Sequence, residues 1–442
     1  MKKILLLLVI VSGALAAWLV YERLFVEGTF GPAAIASLAL LGGAWVWLLC
    51  SLLLYDTRHR EMVLRAWLVI ISVTFSYFAL DLIAGFFLIK PLSPALAADP
   101  YRHHALVPNS YSRIEEREFS YVMRVDSLGL RGKDVPVLKP AGHYRILNLG
   151  DSFAEGKGVT DDETFSVRLE ALLRQKTAAC GGRTVEVLNA GVDSYAPILS
   201  LIQLKRDLAR LEPDLVVLFL DASDLSQEQA YRRLASFGPG GDPLAVPGRP
   251  NSSMTLTERI RSWVDRRLFF TRALLVYVDK AFNYTDIKHP NVLTQASREI
   301  TDYTLATDSV PREKEWLNLF DSIKRIRDFS ESRGAEFILA IYPWPHEYSD
   351  SAWIPGRYSF MPRGAVVAPD RRRNTTMELA ERNHIQVLDF FPAFRAYRGG
   401  KALYYSYDMH WTPAGHEVVA AAYAAALEAR YLSAWCGARP GH

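Results

Sequence analysis

One serine and a distant aspartate–histidine pair are the residues of this 442-residue chain whose types and spacing could do chemistry. Ser152 lies in Gly-Asp-Ser-Phe (150–153), directly after the apolar run 144–149, which predicts a tight turn that lifts the hydroxyl above a sheet edge. A serine attacks a carbonyl only when a base removes its proton. Far downstream, Asp408 and His410 in Asp-Met-His-Trp (408–411) supply a candidate base and a carboxylate to orient it. The pattern indicates hydrolysis or acyl transfer, although Gly-Asp-Ser alone also suits an ordinary strand-to-helix turn.

The elements that must position these residues follow an alternating pattern from Tyr144 onward. Short apolar runs alternate with helical periodicity, which is typical of a parallel sheet covered by helices on both faces. The candidate strands are 145–149, 184–189, 215–220, 336–342 and 385–390, and the helical patterns lie at about 162–176, 197–211, 312–332, 370–383 and 413–431.

Polar and aromatic residues cluster where the predicted strands end. Asn-Ala-Gly (189–191), Asp-Ala-Ser-Asp (221–224) and Tyr-Pro-Trp-Pro-His (342–346) each follow one strand. Since ligands of open parallel sheets bind beyond the carboxyl ends of the strands, we expect one site there. Trp344, His346 and Trp411 are candidates for substrate binding, through stacking on a sugar, but aromatic-rich segments are also typical of packing.

Three long apolar runs, 4–20, 31–54 and 66–89, precede this domain. Each is about long enough to cross a hydrocarbon core of roughly 30 Å as a helix. The first could instead be a cleaved signal peptide, but we predict three spans. Basic residues are concentrated before the first run and between the second and third runs, and basic flanks favour the cytoplasmic side of a membrane. With three spans, we therefore expect everything after Lys90 to lie outside the cytoplasm. Asp81, in the third run, is expected to make a polar contact with a neighbouring helix.

The predicted organisation is therefore three transmembrane helices in residues 1–90, a membrane-proximal segment in 91–143 and the α/β domain in 144–442. The small-residue sequence 94–98 resembles a signal-peptidase site, so release of the outer part is an alternative. An insertion at about 225–310 interrupts the strand–helix rhythm and could be a lid, extra packing or a membrane contact.

The composition narrows the partners and the redox compartment. Lys and Arg total 51 against 48 Asp and Glu, which gives no footprint for nucleic acid. We find no metal-ligand cluster and no phosphate-binding glycine loop, so we expect neither a metal nor a cofactor. Cys180 and Cys436 both fall in the predicted outer part, where a disulfide between them could persist.

At its motifs the chain resembles the SGNH hydrolases, also called the GDSL family. The similar segments are Gly-Asp-Ser-Phe (150–153) with Glu-Gly-Lys-Gly-Val (155–159), then Asn-Ala-Gly (189–191). Asp-Met-His-Trp (408–411) is similar to the Asp-x-His-Trp form of membrane-linked members such as the alginate acetyltransferase group, and 126–132 looks like their lead-in. The resemblance covers roughly residues 120–432 and implies a flavodoxin-like three-layer α/β/α domain with a central parallel sheet.

Carried over residue by residue, the resemblance implies Ser152 as nucleophile, His410 as base and Asp408 as the residue that orients the imidazole. It also implies oxyanion donors at the backbone amides of Ser152 and Gly191. A third donor, an Asn in the family's Gly-x-Asn-Asp block, is replaced here by Ser223. Either Ser223 reaches the oxyanion, or another group substitutes, or activity is low or absent.

The function that the resemblance implies is that of an extracytoplasmic, membrane-anchored serine ester hydrolase or O-acyltransferase, often of acetyl groups. The expected partners are an acylated glycan or other envelope ester, the lipid bilayer and, for transfer, a membrane acyl-donor protein. Two alternatives stay open. The Ser223 departure favours a weak or inactive glycan-binding or scaffold protein of an envelope polysaccharide system, and the amphipathic stretch 256–282 favours a lipase-like enzyme.

Overall fold

The computed structural model describes residues 45–54, 59–88, 95–116, 118–248, 303–306, 312–361 and 364–437, together with residues 3, 10, 43, 260, 263–264, 267–271, 274 and 301. The chain divides into two compact units. One unit comprises Met1–Pro91 and Met254–Asp286, and the other comprises Leu92–Ser253 and Ile287–His442.

In the first unit the structure describes helical residues in two stretches, α1 (Trp45–Leu54) and α2 (Arg60–Leu88). Among the described helices, α2 alone is long and apolar enough to cross a membrane, judged by length and composition. It coincides with the third predicted run and begins six residues earlier, at Arg60 rather than at 66. The second predicted run is described as helix over Trp45–Leu54, and the first lies outside the described residues except for Ile10.

The second unit holds the α/β domain. Its strands are β1 (Leu96–Asp99), β2 (His103–Leu106), β3 (Tyr111–Glu115), β4 (Ser120–Arg124), β5 (His143–Leu149), β6 (Thr184–Asn189), β7 (Leu215–Leu220), β8 (Ser236–Phe237), β9 (Pro243–Ala245), β10 (Glu336–Ile341) and β11 (Val387–Asp389). Its helices are α3 (Ser152–Glu155), α4 (Phe165–Ala179), α5 (Pro197–Gln203), α6 (Asp224–Leu234), α7 (Glu313–Ser332), α8 (Pro345–Tyr348), α9 (Arg371–Arg382), α10 (Phe391–Ala396) and α11 (Pro413–Gly437).

Five of these strands form the central sheet in the order β11-β10-β7-β5-β6, and all four neighbouring pairs are parallel. The predicted parallel sheet is therefore confirmed. Every residue of β7 is buried, as expected for a strand in the middle of a sheet with both faces covered. The edge strand β11 is shorter than the predicted 385–390 because it pairs only with the last three residues of β10.

Side chains of alternate strand residues enter two separate cores, one on each face of the sheet. On one face Val217 and Phe219 pack in a cluster with residues of α4 and α11. On the other face Val216 and Leu218 pack in a cluster with residues of α5 and α7. The domain thus has the three-layer α/β/α architecture.

Two antiparallel hairpins, β1–β2 and β3–β4, precede the sheet in the chain. A further bridge joins Arg131 to Asn189 at the end of β6, so the segment upstream of β5 reaches the carboxyl edge of the sheet. In the predicted insertion the structure describes α6 and the β8–β9 hairpin, and most of residues 249–300 lie outside the described residues.

A disulfide joins Cys180, just after α4, to Cys436 in α11, with a Cα–Cα distance of 5.5 Å. The disulfide predicted between these two cysteines is therefore present in the structure. It connects two helices that pack on the same face of the sheet.

Candidate active site

Ser152 is the first residue of α3, on a turn that the local sequence makes tight. Gly150 has φ +145°, and a Cβ there would lie 2.9 Å from the carbonyl oxygen of Phe219, so only glycine fits without displacing β7. The Asp151 side chain caps the helix by accepting the Phe153 amide at 2.9 Å. The turn therefore fixes the backbone on both sides of the serine.

His410 and Asp408 meet Ser152 across 258 residues of sequence. The imidazole Nε2 lies 2.7 Å from Ser152 Oγ, and Nδ1 is hydrogen-bonded to Asp408 Oδ1. The same carboxylate oxygen accepts the His410 backbone amide at 2.8 Å. With Nδ1 donating to the carboxylate, Nε2 is left to accept the serine proton, which is the geometry that a general base requires.

The carboxyl of Asp408 is held ionised. Burial by itself would raise its pKa, but the neighbouring His410 charge and the hydrogen bonds from His410 lower the pKa to about 2. Asp408 therefore stays negative throughout the neutral range and can stabilise an imidazolium.

Glu118, which belongs to none of the motifs described above, organises the loop that carries Asp408. Its carboxylate accepts the backbone amides of Ser406, Tyr407 and Asp408 at 2.8, 2.6 and 2.7 Å. These charge-assisted bonds cross 288 to 290 residues of sequence and have no local motif.

Arg131, in the lead-in segment 126–132, braces the turn after the serine from the other side. Its guanidinium donates to the carbonyls of Glu155, Gly156 and Val159 and pairs with Asp161 at 2.9 Å. The Arg131 side chain is 1% exposed, so these bonds are made in a largely water-free setting. The resemblance predicted that segment 126–132 is part of the motif set, and in the structure its Arg131 stabilises the turn after Ser152.

The predicted oxyanion donors other than Ser152 already have partners. The Gly191 amide donates to Asn189 Oδ1 at 3.1 Å, and the Ser223 hydroxyl donates to Asp221 Oδ2 at 2.5 Å. Gly191 is nevertheless required sterically, because a Cβ would lie 2.2 Å from the Glu155 amide nitrogen. A role for Ser223 as third donor would require its bond to Asp221 to break.

A buried carboxyl cluster, which consists of Asp151, Asp221 and Asp224, adjoins the nucleophile turn. Tyr342 donates to both Asp151 and Asp221, at 3.3 and 3.2 Å, and the Trp344 indole N–H donates to Asp221. Burial and the mutual repulsion of the carboxylates raise the pKa values of Asp151 and Asp224 well above the usual range. Both effects favour the protonated forms of Asp151 and Asp224.

The three predicted substrate-binding side chains are buried. Trp411 is fully buried between Phe153 and Tyr342, with ring centroids 5.0 and 4.8 Å away, and Trp344 is 2% exposed. We therefore assign the two indoles to packing, since they present no face to a sugar.

His346 is also 2% exposed, and its Nε2 lies 2.8 Å from Thr304 Oγ1. Burial, and the cations Arg357 and Arg372, lower its pKa well below the ordinary value, so the ring is neutral. It borders a cavity of about 750 Å³ that Tyr348 and Arg357 also line.

Charged residues lie close to Asp408 and to the turn after Ser152. Lys157 Nζ lies 3.3 Å from Asp193 Oδ2, and the Lys157 charge contributes to lowering the pKa of Asp408. Burial, then the Asp193 charge, raises the pKa of Glu155 to about 7.

The second unit is a three-layer α/β/α domain, and its C-terminal part matches a known family. Residues 319–439 match the family model ALGX, described as the SGNH hydrolase-like domain of the acetyltransferase AlgX. The matched residues include Asp408 and His410 but not Ser152. The match confirms the predicted resemblance over these residues. No curated protein sequence matches the chain.

Several solved structures are similar to part of the chain. The lipase/acylhydrolase from Enterococcus faecalis is 15% identical (65% of this chain, 96% of that chain, TM-score 0.33). A putative lipolytic protein of the G-D-S-L family from Desulfitobacterium hafniense DCB-2 is 13% identical (64% and 98%, TM-score 0.32). A catalytic mutant of Axe2, an acetylxylan esterase from Geobacillus stearothermophilus, is 12% identical (63% and 92%, TM-score 0.32).

Proposed function

We propose that this protein is a membrane-anchored serine ester hydrolase or O-acyltransferase that acts on an O-acylated, in the first instance O-acetylated, envelope glycan. The observation that carries the proposal is the 2.7 Å contact between Ser152 Oγ and His410 Nε2, with Asp408 on the other ring nitrogen. A scaffold protein has no need to hold these three side chains in this order.

The proposed reaction has two halves. Ser152 Oγ bonds to the acyl carbon while His410 takes the hydroxyl proton, and the carbonyl electron pair moves to oxygen. When that pair returns, the bond to the sugar oxygen breaks, and the sugar oxygen takes the proton from His410. Water or another sugar hydroxyl then attacks the acyl-enzyme in the same way, which gives hydrolysis or transfer.

Two features support a location outside the cytoplasm. The disulfide between Cys180 and Cys436 is of a kind that persists in oxidising compartments. Helix α2 is apolar over a length that suits a membrane span, and we propose three spans with the α/β domain on the extracytoplasmic side. For transfer, a separate membrane protein would supply the acyl group.

The proposal is tested by labelling the full chain in detergent with a fluorophosphonate, followed by peptide mass spectrometry. We expect one adduct, on Ser152, that is lost in Ser152→Ala and His410→Ala and kept in the matched surface variant Ser332→Ala. Labelling of Ser152 that persists in His410→Ala would contradict activation by the histidine.

Hydrolysis and transfer are separated by a second measurement. The protein is given p-nitrophenyl acetate with and without an unacetylated envelope oligosaccharide. Acetyl found on the oligosaccharide, and absent with Ser152→Ala, identifies transfer, whereas release of acetate alone identifies hydrolysis.

A second candidate is a catalytically weak or inactive glycan-binding protein with the same fold. The engagement of Gly191 with Asn189 and of Ser223 with Asp221 favours it, because two predicted oxyanion donors are committed elsewhere. Loss of one such donor typically costs about 10²–10³ in rate. A folded protein that binds acetylated oligosaccharide but takes no fluorophosphonate would support this candidate.

A further inference from the structure

Asp81 is a fully buried carboxylate in the otherwise apolar part of α2. Its Oδ1 accepts the Phe270 amide, at 2.5 Å, and its Oδ2 accepts both the amide and the hydroxyl of Thr271, at 3.1 and 2.5 Å. Tyr77, one turn earlier on α2, adds a hydroxyl contact of 3.1 Å to Thr271. Among the described residues, the hydrogen-bond partners of Asp81 therefore come from the insertion.

The contact has the chemistry of a helix cap supplied from outside the helix. Leu268 is not helical, and helix resumes at residues 269–271. The first amides of a helix lack intrahelical partners and need an acceptor, which the side chain of Leu268 does not provide. Asp81 accepts two of them, and its negative charge suits the positive end of the helix dipole.

The same stretch exposes large apolar side chains. Ile260, Trp263, Phe270 and Leu274 are 54%, 50%, 46% and 55% exposed. The exposed face of α2 beside them is also apolar, with Leu80 and Ile83 61% and 55% exposed. Residues 256–282 carry six basic and three acidic side chains, a composition typical of helices that lie in a membrane interface.

We propose that the described residues of the anchor segment, which we define as 260–274, are embedded in the outer leaflet of the membrane and are held on α2 by Asp81. The proposal rests on the membrane anchoring proposed above. Asp81 lies seven positions before Leu88, the last residue of α2, which places it about 10 Å along the helix from that end. Half of a hydrocarbon core is about 15 Å, so the contact lies within one leaflet.

In the predicted orientation the C-terminal end of α2 faces outside the cytoplasm, so the leaflet around Asp81 is the outer one. In the sequence, the α/β unit begins at Leu92, a few residues after α2, and Met254–Asp286 is inserted in the sequence of that unit. Both must therefore approach the membrane from one side. Lipid is the occupant that fits these exposed side chains, because they continue the apolar surface of a helix that is itself long enough to span.

The first experiment maps depth in the full chain, reconstituted into phosphatidylcholine–phosphatidylglycerol vesicles. In a Cys50→Ser background, single cysteines at Ile260 and Leu274 carry a bimane label, and doxyl-labelled lipids serve as quencher. We expect several-fold stronger quenching at both positions than at Leu317→Cys, which is 58% exposed on α7 of the α/β domain. Quenching equal to that at 317 would overturn the proposal.

A label at Phe75, which is 74% exposed on α2, distinguishes failure of the membrane anchoring from failure of the anchor-segment proposal. Quenching at 75 without quenching at 260 and 274 defeats the anchor segment alone, whereas no quenching at 75 defeats the membrane anchoring itself. Asp81→Ala should weaken quenching at 274 while Tyr77→Phe, which keeps the carboxylate, should not. Fluorophosphonate labelling of Ser152 reports on the proposed catalysis independently.

Discussion

Glu118 lies outside every sequence motif of this chain, yet its side chain holds the loop that carries Asp408. Its carboxylate accepts three consecutive amides of the loop that ends at Asp408, and Asp408 in turn orients His410. Hydrogen bonds to a charged group contribute about 1.5–3 kcal/mol each, so this single side chain holds the loop firmly. Glu118 is therefore a positioning residue for the proposed base.

Glu118→Gln should lower kcat for p-nitrophenyl acetate by about tenfold, and Glu118→Ala by more, because the loop loses a charged acceptor. KM should change little, since Glu118 acts through Asp408 rather than on substrate. The exposed Glu417, which is paired only weakly with Arg168 at 4.0 Å, supplies the control Glu417→Gln. Unchanged kcat in both Glu118 variants would contradict the positioning role.

The contrast between Ser152 and Glu118 shows what sequence can predict at this scale. Ser152 was found because a glycine, a capping aspartate and a preceding apolar strand all lie within a few residues of it. Glu118 contacts backbone amides, which any residue type offers, at a separation of about 290 residues. Such a contact leaves no pattern of residue types, so only the folded chain reveals it.

At the scale of elements, the nucleophile turn depends on Arg131 as well as on Gly150. The Arg131 guanidinium binds three carbonyls that follow α3, and its backbone amide donates to the Asn189 carbonyl at 3.0 Å. It thereby ties the upstream segment to the loops after β5 and β6. Apolar runs in the sequence predict the strands. The family resemblance singles out segment 126–132, but only the structure shows which carbonyls Arg131 binds.

Arg131→Met should lower the free energy of unfolding by about 2–4 kcal/mol, because three carbonyls and the Asp161 carboxylate lose the guanidinium as a donor. Arg131→Lys keeps the charge but not the fork, so an intermediate loss is expected. Urea unfolding in detergent gives the free energy, and the fluorophosphonate rate on Ser152 should fall in parallel. Stability equal to that of the parent chain in both variants would refute the bracing role.

For the whole molecule, the disulfide between Cys180 and Cys436 closes a loop of 256 residues within the α/β unit. Replacing both cysteines by serine should cost about 2–5 kcal/mol of stability. The bridge lies before β6 begins, toward the amino ends of the strands, so the labelling rate of folded Ser152 should be kept. Thermal unfolding with Cys50→Ser as control measures the change, and an unshifted midpoint would show that the bridge adds nothing.

The pH dependence of global stability is set partly by Glu155, which is 4% exposed. Its pKa rises from 4.5 to about 7 on folding, chiefly through burial and then through Asp193. Between these values the folded chain holds a proton that the unfolded chain has lost, so stability falls as pH rises through this window. The shift corresponds to about 3 kcal/mol, lost fully only above pH 7.

Glu155→Gln removes this titration while its amide oxygen can still accept the Asp193 backbone amide, which Glu155 Oε2 accepts at 2.8 Å. Relative to the parent chain, the variant should therefore gain stability from pH 5 to pH 8, by about 3 kcal/mol at the upper end. Urea unfolding at both pH values measures the difference, with Glu417→Gln as the exposed control. The raised pKa values of Asp151 and Asp224 act in the same direction in both chains and cancel in the comparison. Parallel pH curves for parent and variant would show that Glu155 is already ionised in the folded protein at pH 5.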